Sequence, residues 1–322
     1  MAAGRGRNGH DAGGAEDAMR NACKEAVLDL MRQDENVMFL TADGHDFISQ
    51  IPAGHECQFV DYGIAESNMI ASATGLAACG KRPFLFAVTN FMAMRGFEFI
   101  RDMVCLPKYP IVFIGFFAGL ARGSWGATHH GTEDLAILRT LPDLTVVTPA
   151  TPREAKAAVL WAYRQHEAVY IRIEAGHEQE YLPEDYAFEA GKGTILHDGK
   201  DITVVVTGSI LSEAMSAAKN FEQEGISLRV IDLPTVRPVD VRMICEAADE
   251  TRGIVTLEEQ TVYGGLGSAV AEVLAEHQKS VSFRRLGLAD FAKGCGNQSE
   301  MREQNGIGKD VLCEAIHTLL KG

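Results

Sequence analysis

The sequence predicts an α/β chain built as two consecutive three-layer α/β domains with mostly parallel sheets. Strand-like and helix-like runs alternate along almost the whole length. The strand-like runs are apolar throughout rather than at every second residue, as in "PFLFAV" (83–88) and "ITVVV" (202–206). At 322 residues the chain also exceeds what one ordinary hydrophobic core organises. Continuous apolar strands separated by helices are the pattern of a parallel sheet covered on both faces.

Taken in order, residues 1–18, "MAAGRGRNGHDAGGAEDA", are rich in Gly and Ala and lack the apolar stretch of a secretion signal, so a disordered tail is expected. A helix over 19–33 leads to a strand over 36–43, and a helix over 67–80 leads to a strand over 82–88. Strands follow at 110–116, 143–149 and 168–173. Between the last two, "TPREAKAAVLWAYRQH" (151–166) has Thr151 in capping position and an apolar stripe at helical spacing. The texture then changes. Residues 178–201 are polar and turn-rich, which predicts a linker containing a hairpin and a domain boundary near residue 188. This gives a first domain over 19–187 and a second over 188–322. In the second, strands at 202–208, 227–233, 253–259 and 281–288 alternate with helices at 211–223, 239–248, 268–277 and 309–320.

Composition excludes several classes. A content of 46% hydrophobic and 23% charged residues fits a globular protein with a large core. The formal net charge of −14 opposes broad binding to a phosphate backbone. No run reaches the roughly 20 apolar residues of a membrane span. Seven cysteines form no CxxC pair, and the expectation is reduced core thiols in a cytoplasmic protein. No internal repeat is evident beyond the shared architecture.

Neither common phosphate motif occurs: there is no GxxxxGK[ST], and no GxGxxG between a strand and a helix. "YGGLGS" (263–268) opens a helix, where free N–H groups could hold an anion or small residues could allow close packing. In "GATHHGTEDLAILR" (126–139), His129 and His130 have no third ligand at metal spacing, and Thr132 is expected to cap the next helix. A loop histidine at a strand's carboxyl end suits proton transfer or donation to a substrate oxygen. Phe91 follows a strand, where aromatics usually serve the core; Arg95 and Arg101 read as capping or bridging groups. Asp43 ends its strand, where ligands of parallel sheets gather. In "DYGIAESNM" (61–69), Glu66 places a carboxylate at the mouth of an apolar helix.

In combination, "DYGIAESNM", "TNFMAMRGFEFIR", "GATHHGTEDLAILRTLPDLTVVTPATPREA" and "LEEQTVYGGLGSAVAEVLAEH" resemble the pyrimidine-binding and carboxy-terminal domains of thiamine-diphosphate enzymes over roughly residues 19–320. The likeness is greatest to the carboxy-terminal half of transketolase, particularly the form encoded as two subunits. Deoxyxylulose-phosphate synthase and the β-subunit of 2-oxoacid dehydrogenases share the plan. The resemblance implies that Glu66 bonds N1′ of the cofactor's aminopyrimidine, that Phe91 lies on that ring with Val88 nearby, and that His129 touches substrate oxygens. It further implies that Arg20 grips a substrate phosphate and that Asp43 lies near the cofactor and a subunit contact.

The family binds Mg2+ or Ca2+ and the cofactor diphosphate through a GDG motif followed by Asn, and this chain has no GDG. The resemblance therefore implies a partner, an amino-terminal transketolase subunit carrying GDG…Asn, in an α2β2 heterotetramer with shared active sites. No metal ligand is expected on this chain.

Other departures concern substrate. Transketolases carry Asp four residues and His twelve residues before the position of His129; here these are Trp125 and Phe117. The family's phosphate-binding Ser falls at Phe47, and its second phosphate arginine, expected after "YIRI", is replaced by Glu174-Ala175-Gly176. Exchanging polar readers for aromatics removes hydrogen bonds that discriminate strongly. The expectation is ketol transfer on substrates outside the standard pentose phosphate set. The rivals are a 2-oxoacid dehydrogenase β-type subunit serving a lipoyl or carrier protein, a deoxyxylulose-phosphate-synthase-like enzyme, and a non-catalytic scaffold.

Overall fold

The computed structural model describes residues 18–174 and 179–321, so all of the tail expected over residues 1–18 except Ala18, which opens the first helix, lies outside the described residues, as do Ala175 and Gly176. The first half runs α1 (Ala18–Gln33), β1 (Val37–Thr41), β2 (Phe59–Asp61), α2 (Glu66–Ala78), β3 (Arg82–Val88), α3 (Phe97–Phe99), β4 (Val112–Phe116), α4 (Asp134–Leu138), β5 (Leu144–Val147), α5 (Pro152–Tyr163) and β6 (Ala168–Arg172). The second runs β7 (Thr194–His197), β8 (Ile202–Val206), α6 (Leu211–Gln223), β9 (Leu228–Asp232), β10 (Thr235–Arg237), α7 (Val241–Glu250), β11 (Gly253–Thr261), α8 (Leu266–Glu276), β12 (Ser282–Leu288), α9 (Gln298–Gln304) and α10 (Lys309–Lys321).

One sheet has seven strands in the order β10-β5-β6-β4-β3-β1-β2, the other five in the order β12-β11-β8-β9-β7. All pairings are parallel except β10 on β5 and β7 on β9, so two mostly parallel α/β layers stand in series as the alternation predicts. In β3, Phe84 and Phe86 pack toward α1 and α5, whereas Leu85 and Ala87 face the layer that includes α2 and continues into α7 and α8. Both faces are covered, which is why the strand carries no polar alternation. Each fully buried Phe contributes roughly 1.5–3 kcal/mol through burial, more than any local propensity.

Several helix starts follow their sequence signals. The Thr151 side chain accepts from Glu154 N at 3.2 Å with Pro152 in the first turn, and Asp240 accepts from Met243 N at 2.9 Å. Three expectations are corrected, and one that the sequence left open is decided. Thr132 does not cap α4: Glu133 holds that position, and Thr132 donates to its carboxylate at 3.0 Å. The linker forms no hairpin with β8; β7 crosses to pair antiparallel with β9, extending the sheet edge. The cysteines are all free, but only Cys23 and Cys105 are buried, and Cys57, Cys79 and Cys295 are exposed. The helix start at "YGGLG" holds the protein's own anion. Buried Glu258 accepts from Leu266 N at 2.7 Å and Gly267 N at 2.8 Å, and burial pushes its carboxyl up to about 7 against those donors.

Three elements escape the sequence pattern. The strands β2 and β10 span three residues each, and β10 is flanked by Pro234 and Pro238, which read as punctuation. The polar α9 lacks an apolar stripe, although its Asn297–Glu300 capping box is complete.

Candidate active site

The singled-out residues converge at the carboxyl ends of the parallel strands of the first sheet. Arg20 comes from the first turns of α1, Asp43 follows β1, Val88 ends β3, and Phe117 follows β4. Trp125 and His129 lie on the loop between β4 and α4. Ligand sites of open parallel sheets form at these ends.

Glu66 is the first residue of α2, where the helix dipole favours a negative charge, and it is only 4% exposed. The turn before it is set by Gly63 at φ +62°, with Ala65 N donating to Gly63 O at 2.7 Å. Asp61 holds this turn: its Oδ1 accepts from Gly63 N at 2.9 Å and from Asp43 N at 3.2 Å, which fixes exposed Asp43 at the rim. Arg95 Nη1 donates to Glu66 Oε2 at 2.8 Å. The same guanidinium lies over the Phe91 ring, Cζ 4.8 Å from its centroid. Phe91 and Arg95 bound one π-helical turn, so the carboxylate, the aromatic face and the cation meet within one local unit.

An aromatic row extends from this point. Phe91 to His129, His129 to Trp125, and Trp125 to Phe117 are separated by 5.2, 5.3 and 5.5 Å between centroids, each near edge-to-face. The loop bearing His129 is tied to the Phe91 turn by Asn90 Nδ2, which donates to Thr128 O at 2.7 Å. His129 Nδ1 lies 3.0 Å from Thr128 Oγ1. Phe117 adopts φ +60°, strained for a bulky side chain and of the kind that collects at functional sites. Arg20 Cζ stands 4.7, 4.9 and 5.5 Å from the rings of Phe47, Phe116 and Phe117. Phe47 itself is buried against Phe39 and Phe86, so it meets the site through Arg20 rather than by lining it. Val88, half-buried and paired in register with Phe116, lies beneath the same region.

Behind the row, a buried ionic network fixes the loop. Arg172 donates to Asp134 Oδ2 at 3.1 Å, Glu174 Oε1 at 2.6 Å, and the carbonyl oxygens of Gly131 and Glu259 at 3.1 and 2.9 Å. Burial works against its charge, but Asp134 and Glu174 outweigh it and hold the guanidinium ionised. Glu259 accepts from Leu120 N at 2.6 Å and Gln298 Nε2 at 2.8 Å, and also from Arg302. Gly119 sits so close that a Cβ would meet Glu259 Oε1 at 2.5 Å. Glu174 therefore serves this network, and its carboxyl is raised by burial and by the nearby Glu259 charge.

Sequence reasoning missed Arg122 and the links made by Asn90. Arg122 Cζ lies 4.0 Å from the Phe117 centroid and 5.4 Å from that of Trp125. Nothing in "GLARGSWG" marks it; only the folded loop brings it there. Among the described residues, no group of three His, Cys, Asp or Glu side chains could hold a metal ion. None of the described helices is long and apolar enough to cross a membrane.

The fold defines a two-domain α/β protein whose singled-out residues gather at the strand ends of the first sheet. Residues 16–177 match the transketolase pyrimidine-binding domain, and residues 191–311 the transketolase carboxy-terminal domain. The chain belongs to the transketolase family, whose members are transferases. It is 33% identical to an apulose-4-phosphate transketolase subunit of Phocaeicola vulgatus, covering 94% of this chain and 98% of that one. It is 31% identical to the 6-deoxy-6-sulfo-D-fructose transketolase subunit of Clostridium sp. MSTE9, covering 93% of each. Among solved structures, a split gene transketolase described as an inactive β4 tetramer superposes with a TM-score of 0.87 at 35% identity, covering 94% of this chain and 98% of that one.

Proposed function

We propose that this chain is the pyrimidine-side subunit of a split thiamine-diphosphate-dependent transketolase-type enzyme, moving a two-carbon ketol unit from a ketose-type donor to an aldehyde-type acceptor. The observation that carries this reading is the meeting of Glu66 and Phe91 on one planar nitrogen group. The Arg95 guanidinium is flat, donates N–H to the buried carboxylate, and lies on the aromatic face. An aminopyrimidine ring has the same needs, so the residues present fit it. When bound, the cofactor supplies an electron sink for making and breaking carbon–carbon bonds beside a carbonyl.

The chain's own residues bind, orient and move protons. Glu66 holds or exchanges a proton at N1′ of the aminopyrimidine, a task suited to a carboxyl shielded from water. Phe91 stacks on that ring, worth about 1 kcal/mol beyond burial. His129, held by the Thr128–Asn90 link, donates to substrate oxygens. Trp125 and Phe117 exclude water from the reacting end. Asp43 lies at the rim near the subunit contact.

The cofactor diphosphate and its Mg2+ or Ca2+ belong on an amino-terminal partner subunit with the GDG…Asn motif, in a cytoplasmic α2β2 heterotetramer. Two observations support this: the sequence has no GDG, and the relatives are named as subunits of transketolases. A substrate outside the pentose phosphate set is supported by Trp125 and Phe117 and by relatives named for apulose 4-phosphate and 6-deoxy-6-sulfofructose.

The test is co-expression with the partner, followed by thiamine diphosphate titration and turnover assays of wild type and Glu66→Gln. A variant that assembles but turns over on the order of 10²–10⁴ times more slowly supports the reading. Equal turnover sinks it. Turnover of xylulose 5-phosphate with ribose 5-phosphate at ordinary rates would sink the substrate assignment alone.

A further inference from the structure

The loop that carries Trp125 and His129 is closed at a narrow neck. Gly119 N donates to Gly131 O at 2.8 Å and Gly131 N to Gly119 O at 3.1 Å, so residues 120–130 leave and rejoin the first domain at one point. That neck is gripped from the second half of the chain. We propose that Glu259, on β11 of the second sheet, is a positioning residue for substrate reading, which acts through Leu120 N to set where His129 and Trp125 stand. This rests on the transketolase reading and deepens it, because it gives the second domain a part in the geometry of the reacting site.

Three observations carry the inference. First, Leu120 is buried, so its N–H needs an acceptor inside the protein, and Glu259 Oε1 supplies one at 2.6 Å. Gly119, beside it, packs on the same carboxylate with no room for a Cβ. Second, Glu259 is itself held in place. Gln298 Nε2 donates to its Oε1 at 2.8 Å and Arg302 Nε to its Oε2, while Arg302 also donates to Ser209 Oγ at 2.8 Å. A buried carboxylate so fully paired has one position rather than several. Third, the grip extends along the loop. Thr261 N donates to Thr132 O at 2.9 Å, just beyond the neck. Gly123 fits so closely that a Cβ there would meet Met301 Cγ at 2.4 Å and Gly296 O at 2.7 Å.

The effect on the reaction is geometric. Under the proposed function His129 donates to a substrate oxygen, and a misplacement of about 1 Å can cost on the order of a hundredfold in rate. Glu66 begins α2 and Phe91 stands on the turn after β3, so both lie outside the neck. Loosening the neck therefore disturbs substrate reading while sparing the groups that face the aminopyrimidine.

Two measurements test the proposal, and the first needs no catalysis. Trp125 and Trp161 are the two tryptophans of the chain, so a Trp161→Phe background leaves Trp125 as sole reporter of the loop. Glu259→Asp keeps the charge in the network but withdraws the carboxylate from Leu120 N by one methylene. Glu213→Gln is the control: it removes a charge 3.7 Å from Arg302 and leaves Glu259 and Leu120 as they are. Acrylamide quenching and anisotropy of Trp125 are read on the full chain, with folding checked by circular dichroism. A quenching constant raised about twofold by Glu259→Asp, with lower anisotropy, and unmoved by Glu213→Gln supports the proposal. No change in Glu259→Asp, or an equal change in both, overturns it. Should Glu259→Asp not fold, hydrogen exchange of the wild-type chain decides. Protection of Leu120 N–H equal to that of β11 supports the grip, and exchange as fast as exposed loop amides overturns it.

The second measurement uses the enzyme assembled with its partner. The kcat and KM for glycolaldehyde as acceptor, and the Kd of thiamine diphosphate, are compared in wild type and Glu259→Asp. A kcat/KM lowered on the order of tenfold with an unchanged cofactor Kd supports positioning. An unchanged kcat/KM, or an equal loss in both quantities, overturns it. If the assembled protein transfers no ketol group while Glu259→Asp still loosens Trp125, the transketolase reading fails and the grip on the loop stands.

Discussion

Arg95 Nη1 donates to Glu66 Oε2 across 2.8 Å while the rest of its guanidinium covers the ring of Phe91. The carboxylate is 5% exposed and the arginine side chain 51%, so one partner is fixed and the other can swing into water. Such a half-exposed pair is worth roughly 0–1 kcal/mol, a barrier a bound cofactor can readily overcome. Under the proposed function, the aminopyrimidine displaces Arg95 from the surfaces that Glu66 and Phe91 offer. Arg95→Gln is expected to tighten thiamine diphosphate binding to the assembled enzyme by up to about fivefold, read by isothermal titration. Weaker binding by the variant would show instead that Arg95 supports the cofactor.

Glu154 on α5 and Asp232 on β9 join the two halves of the chain through a pair of buried carboxyls. Burial pushes Glu154 up to about 7 and lifts Asp232 well above its usual range, with the nearby Glu154 charge adding to it. Glu154 accepts from Ala150 N at 2.8 Å and from Tyr186 Oη at 2.7 Å, which oppose but do not cancel the effect. A raised folded value means the folded chain keeps a proton that the unfolded chain has released. This stability is present below pH about 4.5, falls as pH rises, and is lost above about 7. Asp232→Asn removes one charge of the pair and should flatten that decline. Thermal melts at pH 5 and 7.5 should show a drop in Tm smaller than wild type by a few °C. An identical drop would contradict the account.

Trp125 stands where transketolases carry the aspartate associated with a sugar hydroxyl, and it is 49% exposed between His129 and Phe117 in the aromatic row. Trp125→Asp should raise kcat/KM for a polyhydroxylated aldehyde relative to glycolaldehyde by about tenfold or more, since hydrogen-bond reading discriminates strongly. Competition assays with the two acceptors supply the ratio. An unchanged ratio would place Trp125 outside substrate selection.

Gly265 caps α8 so tightly that a Cβ there would collide with Glu258 Oε2 and Gln260 Nε2. Both side chains are buried, and Glu258 is already bonded to two helix N–H groups, so neither can withdraw without leaving a polar group unmet. Gly265→Ala should destabilise the chain by about 1–3 kcal/mol in urea unfolding. Wild-type stability in that variant would mean the helix start repacks freely.

Much of this organisation was legible in the sequence because long, doubly covered strands leave a continuous apolar signature. The runs in β3, β4, β8 and β11 announce themselves for that reason, as does α5 with its Thr151 cap. Of the site, Glu66, Phe91 and His129 were found through motif context, and the fold brings the rest of the singled-out set to the same strand ends. What stayed hidden depends on contacts between distant segments. Arg122 acquires meaning only because the loop after β4 folds over Phe117. The "YGGLG" turn left an anion site and close packing both open, since no local pattern tells that Glu258, eight residues before Leu266, fills it. Short strands such as β10 carry too few residues to show any period.

That three-residue strand has a mechanical consequence. Thr235–Arg237 follows β9 of the second sheet yet runs antiparallel along β5 at the edge of the first. The two halves are thus laced rather than strung. A protease nick in the turn-rich segment before β7 would leave both pieces clasped in one particle, and cutting the gene there would leave the first fragment without its edge strand and the second with β10 unpaired. An enzyme divided between two polypeptides keeps this half whole because its own seam is sewn through both sheets.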